Sequence, residues 1–181
     1  MAQPRAFALP DGLALPDGLS LHLGWKAGLI GWIVRQHGLY YAQNWQLGAQ
    51  FEAIVAQALG EFMLRYDPST DRLISLYKGG EPVASLTLDG GHERVAEDGA
   101  RIRFVIIDPH WQSQGLGGVL MSEAMRFLRE THMPKAYLTT FKGLEAARKL
   151  YERFDFQKSE EHLDTHWGVP LFEQKYIWQA K

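Results

Sequence analysis

The run from Phe104 to Gly118, Phe-Val-Ile-Ile-Asp-Pro-His-Trp-Gln-Ser-Gln-Gly-Leu-Gly-Gly, constrains this chain more than any other stretch. A β-rich apolar segment stops at Asp108-Pro109, and glycines cluster at 115, 117 and 118 where a helix begins. Such a turn leaves backbone N–H groups unpaired at the positive end of a helix, with few Cβ atoms in the way. It suits a pyrophosphate or another anion. Glycines at a helix start also serve close packing, so the cluster alone names no ligand. A P-loop would continue Gly-Lys-Ser/Thr, whereas Gly118 is followed by Val119 and Leu120. A dinucleotide fingerprint would follow the first strand and precede a strand ending in an acid. This cluster comes late, and the next strand ends in Thr139-Thr140.

The surroundings read as alternating strands and helices. Ser20 to Leu23 predicts a short strand, and Ala27 to about Tyr41 a helix whose apolar stripe is interrupted by Gly31 and Gly38. Ala49 to Arg65 carries Phe51, Ile54, Val55, Ala58, Phe62 and Leu64 mostly at helical spacing. Arg72 to Tyr77 and Val83 to Leu88 form a hairpin across Gly79-Gly80. Gly90 to Gly99 predicts a polar surface loop, and Arg101 to Ile107 the strongest strand. Helices are expected from the glycine turn to about Glu130 and over Leu144 to Phe154, and strands over Ala136 to Thr140, Phe156 to Glu160 and Phe172 to Trp178. The order predicts an α+β (α/β) domain with a central mixed, mostly antiparallel twisted sheet flanked by helices. A direct repeat, Ala-Leu-Pro-Asp-Gly-Leu at 8–13 and 14–19, has turn chemistry. Residues 1–19 are thus expected to be a turn-rich leader and 20–181 a single domain.

Composition narrows the function. Cysteine is absent, which removes disulfides, thiolate metal sites and cysteine nucleophiles. Lys plus Arg number 19 against 21 Asp plus Glu, a net charge of -2, so the basic field of nucleic-acid binders is missing. No apolar run approaches the ~20 residues of a membrane helix, and no secretory signal opens the chain, so a cytoplasmic address and no membrane partner are expected. No Gly-x-Ser-x-Gly elbow supports serine hydrolysis. His162, Asp164 and His166 would suit a metal only on a helix, and Gly168 and Pro170 argue for a loop there, so no metal is expected.

Gln112-Ser-Gln-Gly-Leu-Gly117 and Ala147-Arg-Lys-Leu-Tyr-Glu-Arg-Phe-Asp-Phe156, with one strand between them, resemble the two signatures of the GNAT superfamily of acyl-CoA-dependent N-acyltransferases. The likeness extends from about Gly31 to Trp178. It is strongest to acetyltransferase domains fused behind MarR-type winged helices, through Gly31-Trp-Ile-Val-Arg-Gln-His-Gly38, Gly80-Glu-Pro-Val-Ala84 and Glu160-Glu-His162 through Gly168. No winged helix fits before Gly24, so a stand-alone version is expected.

The resemblance implies an N-acetyltransferase that moves an acetyl group from acetyl-CoA, its cosubstrate, to a primary amine of a small molecule or peptide. Val105, Ile106 and Ile107 would offer backbone groups to the pantetheine arm. The amides of Gln112, Ser113, Gln114, Gly115, Leu116, Gly117 and Gly118 would wrap the pyrophosphate, with Gln112 where the family often has Arg. Tyr151 would protonate the leaving sulfur, its reference pKa of ~10 lying near that of an alkyl thiol. His37, Tyr41 and Glu52 are candidates for the acceptor side, with Glu61 and groups near Arg103 as further bases. Lys142, Arg148 and Lys149 could meet the 3′-phosphate. Phe141 and Leu144 stand where many relatives carry Asn, and Asp155 replaces a Gly whose positive φ it can adopt. A homodimer is compatible with the superfamily. The changes at Phe141 and Leu144 also fit an alternative, a CoA-binding regulatory or sensor module with little turnover.

Overall fold

A computed structural model describes residues 15–181. The elements run β1 (Leu19–Leu23), α1 (Leu29–Trp45), α2 (Ala49–Leu64), β2 (Arg72–Lys78), β3 (Glu81–Asp89), α3 (Val95–Asp98) and β4 (Ala100–Ile107). After a 3-10 turn at Pro109–Trp111 come α4 (Leu116–Glu130), β5 (Lys135–Phe141), α5 (Glu145–Arg153), β6 (Gln157–Asp164) and β7 (Leu171–Gln179). All seven strands form one sheet in the order β1-β2-β3-β4-β5-β7-β6. Every pair is antiparallel except β4 with β5. This is the mixed, mostly antiparallel sheet that the sequence predicts.

Helices cover both faces. α4 and α5 pack on one, over Ile74, Leu76, Leu86, Leu88, Ile102 and Leu138. α1 and α2 pack on the other, where Leu29, Ile33, Leu59 and Phe62 meet Leu73, and Phe51 and Val55 meet Phe141. Burial on two sides explains why β2 and β3 are nearly continuous apolar runs. The Gly79-Gly80 turn, with φ of 57° and 93°, has the two positive angles that a two-residue hairpin needs to match strand twist.

Two irregularities shape β4. Ser85 pairs with Ile106 but Thr87 pairs with Arg103, so Phe104 and Val105 together oppose Leu86 in a β-bulge. Phe104 sits there with φ of 50°, an uncommon value for an aromatic residue. Leu73, which faces α1 and α2, pairs with Thr87, which pairs with Arg103; the bulge therefore leaves Arg103 and Phe104 on the same face. The second irregularity lies between β4 and β5. Only Ala100, Ile102 and Arg101 between them find partners, on Ala136, Leu138 and Tyr137, and beyond Ile102 the strands separate.

Several boundaries differ from expectation. α1 starts two residues later and runs to Trp45, because Gly31 and Gly38 continue the helix without breaking it. The Gly90–Gly99 segment contains α3, and Gly90 is buried. In the second repeat copy, Pro16-Asp17-Gly18 makes the expected turn, with Leu19 N–H donating to the Pro16 carbonyl at 3.1 Å. Leu19 itself belongs to β1 rather than to a leader, and Leu15 packs against the main core. The first copy lies outside the described residues. Among those described, no helix is long and apolar enough to cross a membrane.

Candidate active site

One cavity of about 860 Å³ follows the opening between β4 and β5 and continues beneath α1 and α2. Its first end is the turn after β4. Ser113 and Gly115 take left-handed φ values of 61° and 81°, and Gly115 caps α4 without any side-chain hydrogen bond. The first intrahelical bonds are made by Gly118 and Val119, both to the Gly115 carbonyl. Among the described residues, the N–H groups of Ser113, Gln114, Gly115, Leu116 and Gly117 meet no acceptor. Successive unsatisfied amides at a helix N-terminus are an anion cradle. Gly117 also has a packing reason: a Cβ there would come within 2.8 Å of Leu150 Cδ2 on α5.

The middle of the cavity is the strand gap. Val105, Ile106 and Ile107 line it, with no β5 partner for their backbone on that side. Tyr151 reaches it from α5, buried against Phe156 and Tyr176. Its hydroxyl bonds to no described residue, and burial pushes the phenol above its usual range. Tyr41 enters from α1 on the opposite face of the sheet, and its own upward shift comes from burial and then from Tyr151. The two phenols therefore lie within electrostatic reach of each other across the gap. Beside Tyr41, His37 stacks at 6.1 Å and is pulled down from 6.5 to about 4 by burial. Its Nδ1 lies 2.8 Å from the Ile33 carbonyl, which can only accept, so Nδ1 carries the proton and Nε2 keeps a lone pair.

At the far end, Trp45, Phe141 and Trp167 form an aromatic wall, with rings 5.4 to 6.0 Å apart. Arg101 and Arg103 from β4 and Glu173 from β7 also line the cavity, Glu173 opposite Phe141 in the sheet. Burial first, and then Asp164, raises the Glu173 carboxyl, while Arg101 opposes the shift.

A family model for acetyltransferases, described as the Acetyltransferase (GNAT) family, matches residues 35–156, more than half of the chain. The protein belongs to the GNAT acetyltransferase family. A mycothiol acetyltransferase of Nocardiopsis dassonvillei is 32% identical over 94 residues, half of this chain but 28% of that one, so the chain spans well under half the length of this relative. Among solved structures, an acetyltransferase from Streptococcus agalactiae superposes with a TM-score of 0.69 at 15% identity, covering 91% of this chain and 99% of the other. A GNAT family acetyltransferase from Elizabethkingia anophelis, solved with acetyl-CoA bound, gives 0.61 at 11% identity over 91% and 100%. These structural likenesses concern the fold.

Within this GNAT domain, most expected site residues line the cavity: Val105, Ile106, Ile107, Gln112, Ser113, Gly115, Gly117, Gly118 and Tyr151, with His37 and Tyr41. Leu116 contributes its amide, but its side chain is core. Gln114 turns its side chain to the His110 carbonyl, and Gln112 turns its own to that of Ile107. Glu52 is a correction. It is exposed, rests against Gly38 of α1 and stands outside the cavity, because the neighbouring Phe51 takes the inward position of that helical turn. Glu61 is outside as well, accepting from Gln57. Lys142 is tied to Glu161, and Arg148 to Glu145 and Glu152, which leaves Lys149 without an acidic partner among the described residues. Asp155 has the expected positive φ, 64°.

Arg101, Arg153 and Glu173 were not anticipated. Arg153 alone carried a local signal, one turn beyond Lys149 on the same helix. His166 lies in the turn after β6, its N–H on Asp164, and makes no helical pair with His162. Instead His162, Asp164 and Glu173 bring one possible ligand atom each within 4.8 Å of the others. Exposed acidic groups commonly cluster in this way without a metal, so the trio by itself assigns none.

Proposed function

We propose that this GNAT domain transfers the acetyl group of acetyl-CoA to a primary amine by direct attack. The observation that carries the reading is that the free amides of 113–117, the unpaired edge of β4 and the Tyr151 phenol share one cavity. Bound acetyl-CoA would supply a thioester, an acyl group on a good leaving sulfur. The 113–117 amides are suited to its diphosphate, and the unpaired backbone of Val105–Ile107 to its amide-bearing arm. An N–H of that edge would polarise the thioester carbonyl; a donor of this kind is worth about 3 kcal/mol in other acyl transfers.

Three proton transfers accompany formation of the N–C bond and cleavage of the C–S bond. The departing thiolate takes one from Tyr151, which burial keeps protonated but makes a weaker acid than a free phenol, so that it serves by placement rather than by acid strength. The acceptor ammonium gives up one proton to a base or a water chain before the amine attacks, and the adduct nitrogen gives up another, which restores the Tyr151 phenol. His37, neutral with a free Nε2, orients this path better than it drives it, since a base held near pH 4 is weak against an amine.

Acceptors of either small-molecule or peptide type fit the open cavity, and the curated relative shares too little length to pass on its acceptor. The closer likeness to domains fused behind MarR-type regulators, the cytoplasmic address and a homodimer belong to the same proposal. No feature of the cavity favours the regulatory alternative. The test is release of free CoA thiol across a panel of primary amines. Turnover that falls in Tyr151→Phe while acetyl-CoA binding persists is the expected result; acetyl-CoA binding without thiol release from any amine would overturn the reading.

A further inference from the structure

The acceptor end carries charges that the protein itself compensates only in part, Arg101 lying over the Tyr137 ring at 5.7 Å and Arg103 over that of Phe104 at 4.7 Å. Arg101 and Arg103 stand two apart on β4, on the face turned to α1 and α2, and both line the cavity. Neither guanidinium donates a hydrogen bond to any described residue. Arg101 Nε is buried without a partner, an orphan that a folded protein seldom tolerates. Arg103 is 19% exposed and has one distant ion pair, 3.8 Å to Asp89, whose carboxylate is already engaged by Arg65. Burial and the neighbouring Arg101 lower Arg103 to about 10, the mark of two cations crowded in a dry place. An anion between them would relieve both the orphaned donor and the repulsion.

Glu173 lines the same cavity from β7, opposite Phe141 and within electrostatic reach of Arg101. The other groups turned toward it are Asp164, His162 and Trp167. Only one other carboxylate lines the cavity, Glu145, and Arg148 occupies it. An ammonium entering here meets Glu173.

We infer that the acceptor is an amino-acid-like zwitterion, its carboxylate or phosphonate received by Arg101 and Arg103 and its ammonium by Glu173. This deepens the acetyl-transfer reading and rests on it. Paired guanidiniums match such anions with bidentate geometry, which a lysine pair would not. The aromatic wall of Trp45, Phe141 and Trp167 is then left for the side chain.

The experiment compares matched probes on the wild-type protein: each common L-amino acid and a set of aminophosphonates, against the corresponding amides and decarboxylated amines. Thiol release is read with acetyl-CoA in excess. The expected result is an acid preferred over its own amide by 100-fold or more in kcat/KM. Arg101→Gln and Arg103→Gln should each raise KM for that acid at least tenfold while KM for its amide moves less than threefold, a split that mere misfolding does not produce. Turnover with amides, decarboxylated amines or spermidine at rates equal to the acids overturns the zwitterion while the acetyl-transfer reading stands. If no amine turns over, the transfer reading fails, and the anion site is judged alone by tryptophan fluorescence, since Trp45 and Trp167 line it. Saturable quenching by acids but not amides upholds it, and none overturns it.

Discussion

The two ends of the cleft are built from different materials. The donor end is backbone: successive amides of residues 113–117, a left-handed glycine, and a strand edge released where β4 leaves β5. The acceptor end is side chains: the Tyr41–His37 stack, the aromatic wall, two arginines and one glutamate from elements far apart in sequence. Backbone recognition of a diphosphate tolerates almost any residue without disturbing the amides, whereas a side-chain pocket changes with each substitution. A fold can thus keep one donor and vary its acceptors. Tyr151 stands at the boundary, and its removal is the sharpest way to separate the ends. Tyr151→Phe should lower kcat by about 100-fold to 10,000-fold, the usual worth of a positioned acid. Acetyl-CoA affinity, measured by calorimetry, should stay within about threefold. A comparable loss of affinity would mean that the phenol belongs to the donor end.

The next effect is confined to the acceptor side and is read in stability. His37 is fully enclosed and held at about 4 against 6.5 in the unfolded chain. Below pH 6.5 the unfolded chain binds a proton that the folded one refuses, so stability is whole above 6.5 and falls as the pH drops toward 4. Between pH 7 and pH 5 this amounts to about 2 kcal/mol at 1.36 kcal/mol per unit. Urea unfolding at the two pH values should show His37→Gln losing about that much less than the wild type. Equal losses would mean that water reaches the imidazole and that the pocket is wetter than its packing implies.

The same division decides what could be read from the letters. The donor end is contiguous, so Gln112 to Gly118 announce a helix start with unpaired amides without reference to the rest of the chain. The elements that carry it, β4, α4, β5 and α5, have strong local patterns and fall within a residue or two of expectation. Asp155 was legible too, since its backbone requirement is local. The acceptor end depends on register. In Arg101-Ile102-Arg103-Phe104, strict alternation would turn Phe104 toward the face of Ile102, and only the bulge opposite Leu86 turns it toward α1. Glu173 joins the site because β7 returns antiparallel beside β5 and sets it opposite Phe141, a pairing no local pattern predicts. Glu52 fails for the converse reason. Its helix is placed correctly, but rotation about the helix axis is fixed by Phe51, Val55 and Leu59 meeting the core.

The backbone end can be tested without touching a side chain. Gly115 holds φ of 81° with nothing within 4 Å of a Cβ placed there, so Gly115→Ala introduces strain and no clash. The left-handed conformation costs an ordinary residue about 1–2 kcal/mol. Thermal or urea unfolding should register a loss of that size, and acetyl-CoA should bind about tenfold more weakly as the amides lose alignment. Unchanged kcat at saturating acetyl-CoA would confine the damage to the donor end. An affinity that does not move would show that the amides are dispensable and that the two ends differ less than their construction suggests.

The smallest effect asks whether the donor end is backbone alone. Lys149 and Arg153 line the cavity from α5 without acidic partners among the described residues, and a Cβ on Gly118 would lie 3.6 Å from Arg153 Nη2. Arg148, between them in sequence, is held by Glu145 and Glu152. Exposed charges are screened within about 8 Å at physiological salt, so each free cation should contribute modestly to a phosphate. Lys149→Gln and Arg153→Gln are each expected to weaken acetyl-CoA binding about threefold and to flatten its salt dependence, while Arg148→Gln changes neither by more than about twofold. If both neutral variants bind as well as the wild type from 50 mM to 500 mM salt, the amides hold the diphosphate unaided. If Arg148→Gln is the damaging one, the α5 ion pairs open on binding and the cation that matters is one the unliganded domain keeps masked.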